Sequence, residues 1–411
     1  MKRIHSRFTL CALPVLAILI LANIALAAGS TEKVLYRFAG GIDGAQPSAA
    51  LVADHAGNLY GTTSQGGNQA CSGGCGTVFE LTPNLDGSWT ESVLYSFTGS
   101  DDGAFPQTSL IFDHAGNLYG TTLHGGASGD GTVFRLTPPS ASGGAWTETV
   151  LYTFVGKRDG EYCFGGLVFD SAGNLYGAGF FGGTYGGGTV FQLVPPAQGE
   201  TWSLNVLHSF KGDTDGLDPF GALIIDKQSS VYGTTHDGRV FKLKPPSSGQ
   251  SHWTLQVIYT IGSSLAVGAL LPGQHGVLFG VSSLGGSANA GTVFQLTPPV
   301  LPGQPWTEAT LHEFSGGDGE FPLNGLITDS FGNLYGTTQA GGASNLGTVF
   351  ELSPPATQGG AWTEATLHSF KSNRDGAGPG AGLIFGKRGL LYGTTESGGS
   401  SGNGTVFVVA P

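Results

Sequence analysis

The chain has 411 residues, of which 72 are glycine, 11% are charged and the single methionine is Met1. Glycine breaks helices and charged helix formers are scarce, which excludes a helical bundle or coiled coil and leaves β structure with many tight turns; a hydrophobic fraction of 39% excludes a disordered tail. A formal charge of −12 repels phosphate backbones and anionic headgroups, so nucleic acid is not an expected partner.

In chain order, Lys2, Arg3 and Arg7 precede an apolar run over residues 8–26 that ends in the small-x-small Ala25-Leu26-Ala27. This pattern predicts a signal peptide over 1–27, cut after Ala27. The alternative is an uncleaved anchor, against which stand Pro14 and Asn23 inside the run. The expected destination is the periplasm or the medium, with no stable membrane insertion after cleavage and no C-terminal anchor beyond Val408-Val409-Ala410-Pro411. Export permits disulfides, and Cys71 and Cys75, in Cys-Ser-Gly-Gly-Cys, are expected to pair. Zinc would require two further ligands, and none stands nearby in sequence. Cys163, between Tyr162 and Phe164, reads as a buried inert thiol.

The rest of the chain, 28–411, repeats itself. Gly57–Thr63 spells GNLYGTT, returns verbatim at 116–122 and 332–338, and has degenerate copies at 173–179, 229–235, 276–282 and 389–395. Its aromatic position falls at Tyr60, Tyr119, Tyr176, Tyr232, Phe279, Tyr335 and Tyr392, at spacings of 59, 57, 56, 47, 56 and 57. Each unit carries four short β patterns. In the second they are Leu110–Asp113, Leu118–Thr122, Thr132–Leu136 (halted by Pro138-Pro139) and Trp146–Phe154. Four strands repeated seven times predict an all-β, seven-bladed β-propeller with four antiparallel strands per blade. Closure is legible too. Thr31–Phe38 matches the fourth strand Thr90–Phe97, while the last unit stops after three strands, so the N-terminal strand is expected to complete the last blade and remove an exposed edge. An open solenoid would need capping repeats, and no distinct cap is visible.

GNLYGTT, the Gly-Gly loop, GTVFEL and VLYSF followed by Asp-Gly resemble the GloVer tandem repeat of choice-of-anchor proteins over nearly all of the chain after residue 27. The resemblance implies an extracytoplasmic bacterial repeat protein and assigns no catalytic residue. The DxxGN turns are also similar to those of other propeller repeats, lactonase-like ones included, which is a likeness of fold alone.

In a propeller, the loops from fourth to first strand and from second to third share one face. Here these are the Asp-Gly loops (Asp43, Asp102, Asp159, Asp215, Asp318, Asp375) and the Gly-Gly loops. The six aspartates could ring a cation, and Asp213, Asp215 and Asp218 have oxygen spacing faintly like a calcium loop; the plainer reading is a turn dipeptide repeated with the blade. Calcium is the one cofactor considered, and none is expected. Departures from the repeat point to a ligand: Phe180, Phe181 and Tyr185 in the third Gly-Gly loop, and Phe105, Tyr162 and Phe321 at one position of the Asp-Gly loops, are residues that stack on sugars or anchor peptides, or that simply cover neighbouring glycines. Unit four has a shortened loop with His236, Asp237 and Arg239, the next connection (262–266) lacks Asp-Gly, and Lys242 and Lys244 follow. That notch suggests a site for an acidic group, with loop decay as the bland reading. His124 is the other histidine of this face.

The expected function is a monomeric, exported binding or interaction scaffold for a glycan, cell-surface polymer or protein, with an acidic polysaccharide suggested by the notch. The alternative is a propeller enzyme, lactonase-like, lyase-like or glycan-cleaving, using inner-strand acids and calcium. No P-loop or HExxH motif is present.

Overall fold

The structure, a computed structural model, describes residues 32–141, 143–197, 201–262, 268–301, 303–357, 359–371 and 374–411. The predicted signal peptide and most of the shortened connection after Gly262 lie outside these residues. Seven antiparallel four-stranded sheets follow one another as the blades of a β-propeller. Blade 1 is typical: Val52–Ala53, Leu59–Thr63, Thr77–Pro83 and Trp89–Ser96 pair in chain order from the axis outward. In blade 7 the order is Glu32–Arg37, Thr405–Val409, Leu391–Thr395, Ile384–Phe385, with Glu32 opposite Val409 and Arg37 opposite Thr405. The N-terminal strand closes the ring as expected. No helix among the described residues is long and apolar enough to cross a membrane.

The repeated motifs are the packing rules of this ring. In DxxGNLY, Asp54 accepts hydrogen bonds from the Gly57 and Asn58 amides (2.8 and 2.9 Å), the Asn58 side chain (2.9 Å) and the Tyr60 hydroxyl (3.3 Å), so one carboxylate fixes the hairpin between the first two strands. The glycine after Tyr60 lies opposite Phe79 of GTVF, and a Cβ on Gly61 would come within 2.6 Å of that ring. Glycine is therefore required to admit the phenylalanine, and the same Gly–Phe pairing recurs in blades 2 to 7. The phenylalanine ending VLYSF then packs edge-on against the next blade's Phe, as Phe38 does on Phe79 and Phe97 on Phe134, both at 5.1 Å. All four rings are fully buried. Between blades 4 and 5 Ile261 takes that place, packed on the cluster containing Phe294.

Candidate functional site

Each Asp-Gly aspartate is engaged by a side chain of the strand before it. Tyr36, Tyr95 and Tyr152 donate to Asp43, Asp102 and Asp159 at 3.1, 2.9 and 2.6 Å. His208 and His312 meet Asp215 and Asp318 at 3.0 and 2.9 Å, and His368 lies 3.4 Å from Asp375. The carboxylates also hold connector amides, among them those of Ala39, Thr98, Val155 and Lys211. Each aspartate thus locks an outer strand to the connector leaving it. Asp213, Asp215 and Asp218 are not gathered into a calcium loop: Asp215 turns to His208 and Lys211, the Asp213 carbonyl accepts from Arg239, and Asp218 stands on the connector at the channel mouth. Among the described residues, no group of three or more His, Cys, Asp or Glu is arranged to hold a metal ion.

The residue two beyond Asp-Gly is held differently. Gln46, Phe105, Tyr162, Asp218 and Phe321 have φ between 54° and 57°, a left-handed conformation unusual for non-glycine residues, and Gly378 occupies the equivalent place. The reason is a double hydrogen bond. Phe105 donates its amide to Cys75 of the preceding blade (2.9 Å) and accepts from Leu123 of its own (3.3 Å); Asp218 does the same with Gly187 and His236 (both 2.9 Å). The kink stitches adjacent blades and sets this side chain beside the residue after Gly-Thr-Thr, at the mouth of the axial channel. Cys71 and Cys75 are joined as a disulfide, and their loop supplies the carbonyl that seats Phe105.

On one side of the mouth these positions are aromatic. A continuous run of rings passes from Phe105 to His124 (5.6 Å), Tyr162 (4.8 Å), Phe181 (6.0 Å) and Phe180 (4.6 Å). Phe180 then meets Phe164, Phe220 and His236 at 5.2, 6.0 and 5.9 Å. Phe164 and Phe220, stacked at 5.5 Å, line a cavity of about 360 Å³ on the axis, which the inner ends of all seven blades surround.

Across the axis, blade 7 contributes Glu396 to the same cavity, with Gln339 of blade 6 donating to it at 3.5 Å. Asn324, Ser48, Gln107, Thr108 and Ser109 are the further polar side chains of that lining. The Asn324 amide bonds the Gly380 carbonyl, while the Ser48 hydroxyl is buried without a partner in the structure. Burial raises the Glu396 carboxyl above its usual range, opposed by the Gln339 bond. Burial likewise raises Asp218, against the pull of His236. The mouth is therefore uneven: rings predominate over blades 2 to 4, with Asp218 among them, and polar side chains with the desolvated Glu396 over blades 6, 7 and 1, with Phe321 on the blade 6 connector.

Of the residues singled out in sequence, Phe105, Tyr162, Phe180, Phe181 and His236 share this arc. Tyr185 is exposed on its loop with Lys211 5.1 Å over its ring, and Phe321 stands on the connector into blade 6, outside the ring contacts of the arc. The basic notch does not assemble. Arg239 forms an ion pair with Asp237 and donates to Asp213 O (2.8 Å), while Lys242 meets Asp226 (3.2 Å) and the Tyr232 hydroxyl towards the opposite face. Sequence reasoning missed Phe164, Phe220, Gln339 and Glu396. Their signal was positional: Phe164 and Phe220 stand where other units carry Ser48, Gln107, Leu323 and Gly380, and Gln339 and Glu396 where others carry Ser64, Leu123, Phe180 and His236.

Comparison with solved structures supports the fold alone. A protein of Bacteroides uniformis ATCC 8492 described as a candidate 6-phosphogluconolactonase is 15% identical, with a TM-score of 0.50 over 78% of this chain and 84% of that one. A protein of unknown function from Dyadobacter fermentans DSM 18053 is 12% identical, with a TM-score of 0.44 over 92% of this chain and 98% of that one. No curated protein matches significantly. The Gloeobacter/Verrucomicrobia repeat model matches residues 23–243, 140–300 and 236–411, and with the motif-by-motif packing above it places the chain in that repeat family.

Proposed function

We propose that this protein is an exported binding propeller that holds a carbohydrate chain in its axial mouth. The observation that carries the reading is that Phe164 and Phe220, which continue the aromatic arc through Phe180, face Asn324 and the Gln339-bound Glu396 across one cavity. A pyranose has an apolar face of C–H groups and an equator of hydroxyls. Rings on one wall and hydroxyl partners on the other match both, and a cavity of about 360 Å³ suits one residue of a polymer whose flanking residues rest on the rim. With Arg239 ion-paired to Asp237, neutral polysaccharides are the favoured class. The test is a survey of neutral and acidic polysaccharides by calorimetry, with Phe180→Ala and Tyr162→Ala as variants. Neutral binding that weakens at least roughly ten-fold in each variant is expected from lost aromatic contacts. Binding unaffected by both would contradict the reading.

A second reading, cleavage of the same polymer, rests on the desolvation of Glu396, which favours a protonated carboxyl able to act as a general acid. Release of new chain ends by the wild type and its loss in Glu396→Gln, with binding retained, would establish it.

A further inference from the structure

The opposite face carries a second concavity, made by blade 7 breaking a rule the other blades keep. Tyr60, Tyr119, Tyr176, Tyr232 and Tyr335 each donate to the aspartate of their own hairpin, at 3.0 to 3.3 Å. Across the sheet they face Glu80, Arg135, Gln192, Lys242 and Glu351, all polar. Where blade 5 loses that aspartate, to Gly273, it also replaces the tyrosine with Phe279, so no hydroxyl is stranded. Blade 7 keeps Tyr392 but has Gly386 in place of the aspartate, Leu390 in place of the asparagine, and Val408 opposite. A side chain at Gly386 would overlap the Tyr392 ring, so the ring leans into the vacated space. Its hydroxyl takes no hydrogen bond from any described residue.

Tyr392 lies 6.2 Å from Trp89 of blade 1, and the two line a cavity of about 430 Å³ with Leu59 and Leu390. The turn that lost its aspartate gained Lys387 and Arg388, both at this cavity. Lys387 spans the seam to the Ala56 carbonyl at 2.8 Å, and Lys33 donates to Gly87 O beside it at 2.8 Å. The nearby acid, Asp86, is held by the Ser88 hydroxyl at 2.6 Å. An apolar floor, one unpartnered hydroxyl donor and two cations at the rim define a ligand with an apolar body and a single negative charge.

We propose that this seam is a binding site for an amphiphilic monocarboxylate, an aryl or medium-chain alkyl acid. The carbon skeleton lies against Trp89 and Leu390, the Tyr392 hydroxyl donates to a carboxylate oxygen, and Lys387 and Arg388 balance the charge. Because the walls come from blades 1 and 7, the ligand bridges the point where the ring closes, so binding raises the melting temperature.

Calorimetry and thermal melting with cinnamate and octanoate, beside their neutral twins cinnamyl alcohol and 1-octanol, test the site. The acids are expected to bind and to raise the melting temperature, and the alcohols to bind at least roughly ten-fold more weakly, as the loss of a hydrogen bond to a charged group implies. Lys387→Gln with Arg388→Asn should erase the preference for the acids. Val408→Glu, which restores the carboxylate that blades 1 and 6 place opposite this tyrosine, should abolish acid binding while the protein still melts cooperatively. Absence of binding, equal binding of acids and alcohols, or acid binding that survives Val408→Glu would overturn the proposal. Polysaccharide binding at the axial mouth is read separately and is unaffected by these variants.

Discussion

Glycine at the centre of GNLYGTT and phenylalanine in GTVF act as one unit, because the ring occupies the space a Cβ would need. Phe134 is fully buried, and truncating it removes contacts that the rigid blade interface cannot close over. Phe134→Ala is expected to lower stability by about 3–5 kcal/mol. Gly120→Ala would set a methyl 2.6 Å from the same ring and 2.9 Å from Leu110, costing about 1–3 kcal/mol by overpacking. The double variant should cost less than the two separately, since the methyl then fills part of the space the ring leaves. Denaturant melts of the three variants measure this, and simple additivity would contradict the packing account. At this scale the sequence was informative about structure through recurrence, and about the site through its exceptions. Phe180 and Tyr162 stood out as breaks in a pattern. Phe164 and Glu396 did not, because their columns vary from unit to unit and only the ring shows that they face one cavity.

Among the elements, the N-terminal strand has a role no other strand shares. Glu32–Arg37 is separated in sequence by the whole ring from its partner Thr405–Val409, yet it supplies the outer strand of blade 7 and leads directly into Phe38, which packs on Phe79. Deleting residues 30–38 removes a strand, a buried ring and the closing seam together, and leaves an unpaired edge. Aggregation or a marked fall in melting temperature is the expected outcome, read by light scattering and calorimetry. A deletion that melts like the full chain would mean the ring does not depend on this closure. The closure was legible because one fourth-strand motif stands at the start of the chain and one is missing at its end. The shape of the fourth-blade notch was not. Arg239 looked like a free cation in sequence, but its partner Asp237, two residues away, lies close enough to neutralise it, and Lys242 on the same strand reaches Asp226 instead.

For the molecule as a whole, the junctions between blades bring carboxyls together. Burial first, and then Asp375, Asp43 and Asp102 respectively, push Glu32, Glu91 and Glu148 up to about 7. A carboxyl raised on folding contributes stability that is complete below its unfolded value and is lost as pH rises through the folded one. His208 and His368 are lowered by burial, so their contribution is present above the ordinary histidine value and lost as pH falls through the folded value. Between pH 8 and roughly 7, above the ordinary histidine value, the melting temperature is expected to rise as pH falls, with His208 and His368 opposing the trend at lower pH. Glu91→Gln with Glu148→Gln should flatten the rise, and a melting temperature that falls steadily from pH 8 would contradict it.

The arrangement of the seven blades also makes the axial mouth uneven, with rings predominating on one side and Glu396 on the other, and the proposed binding rests on that asymmetry. Hydroxyl-radical footprinting of the protein with and without a bound neutral polysaccharide locates the contact directly. Protection concentrated at Phe105, Tyr162, Phe180 and Phe181, with the exposed Tyr185 still reactive, is the predicted result; protection centred on the opposite face, or none while the polymer is bound, would contradict the account.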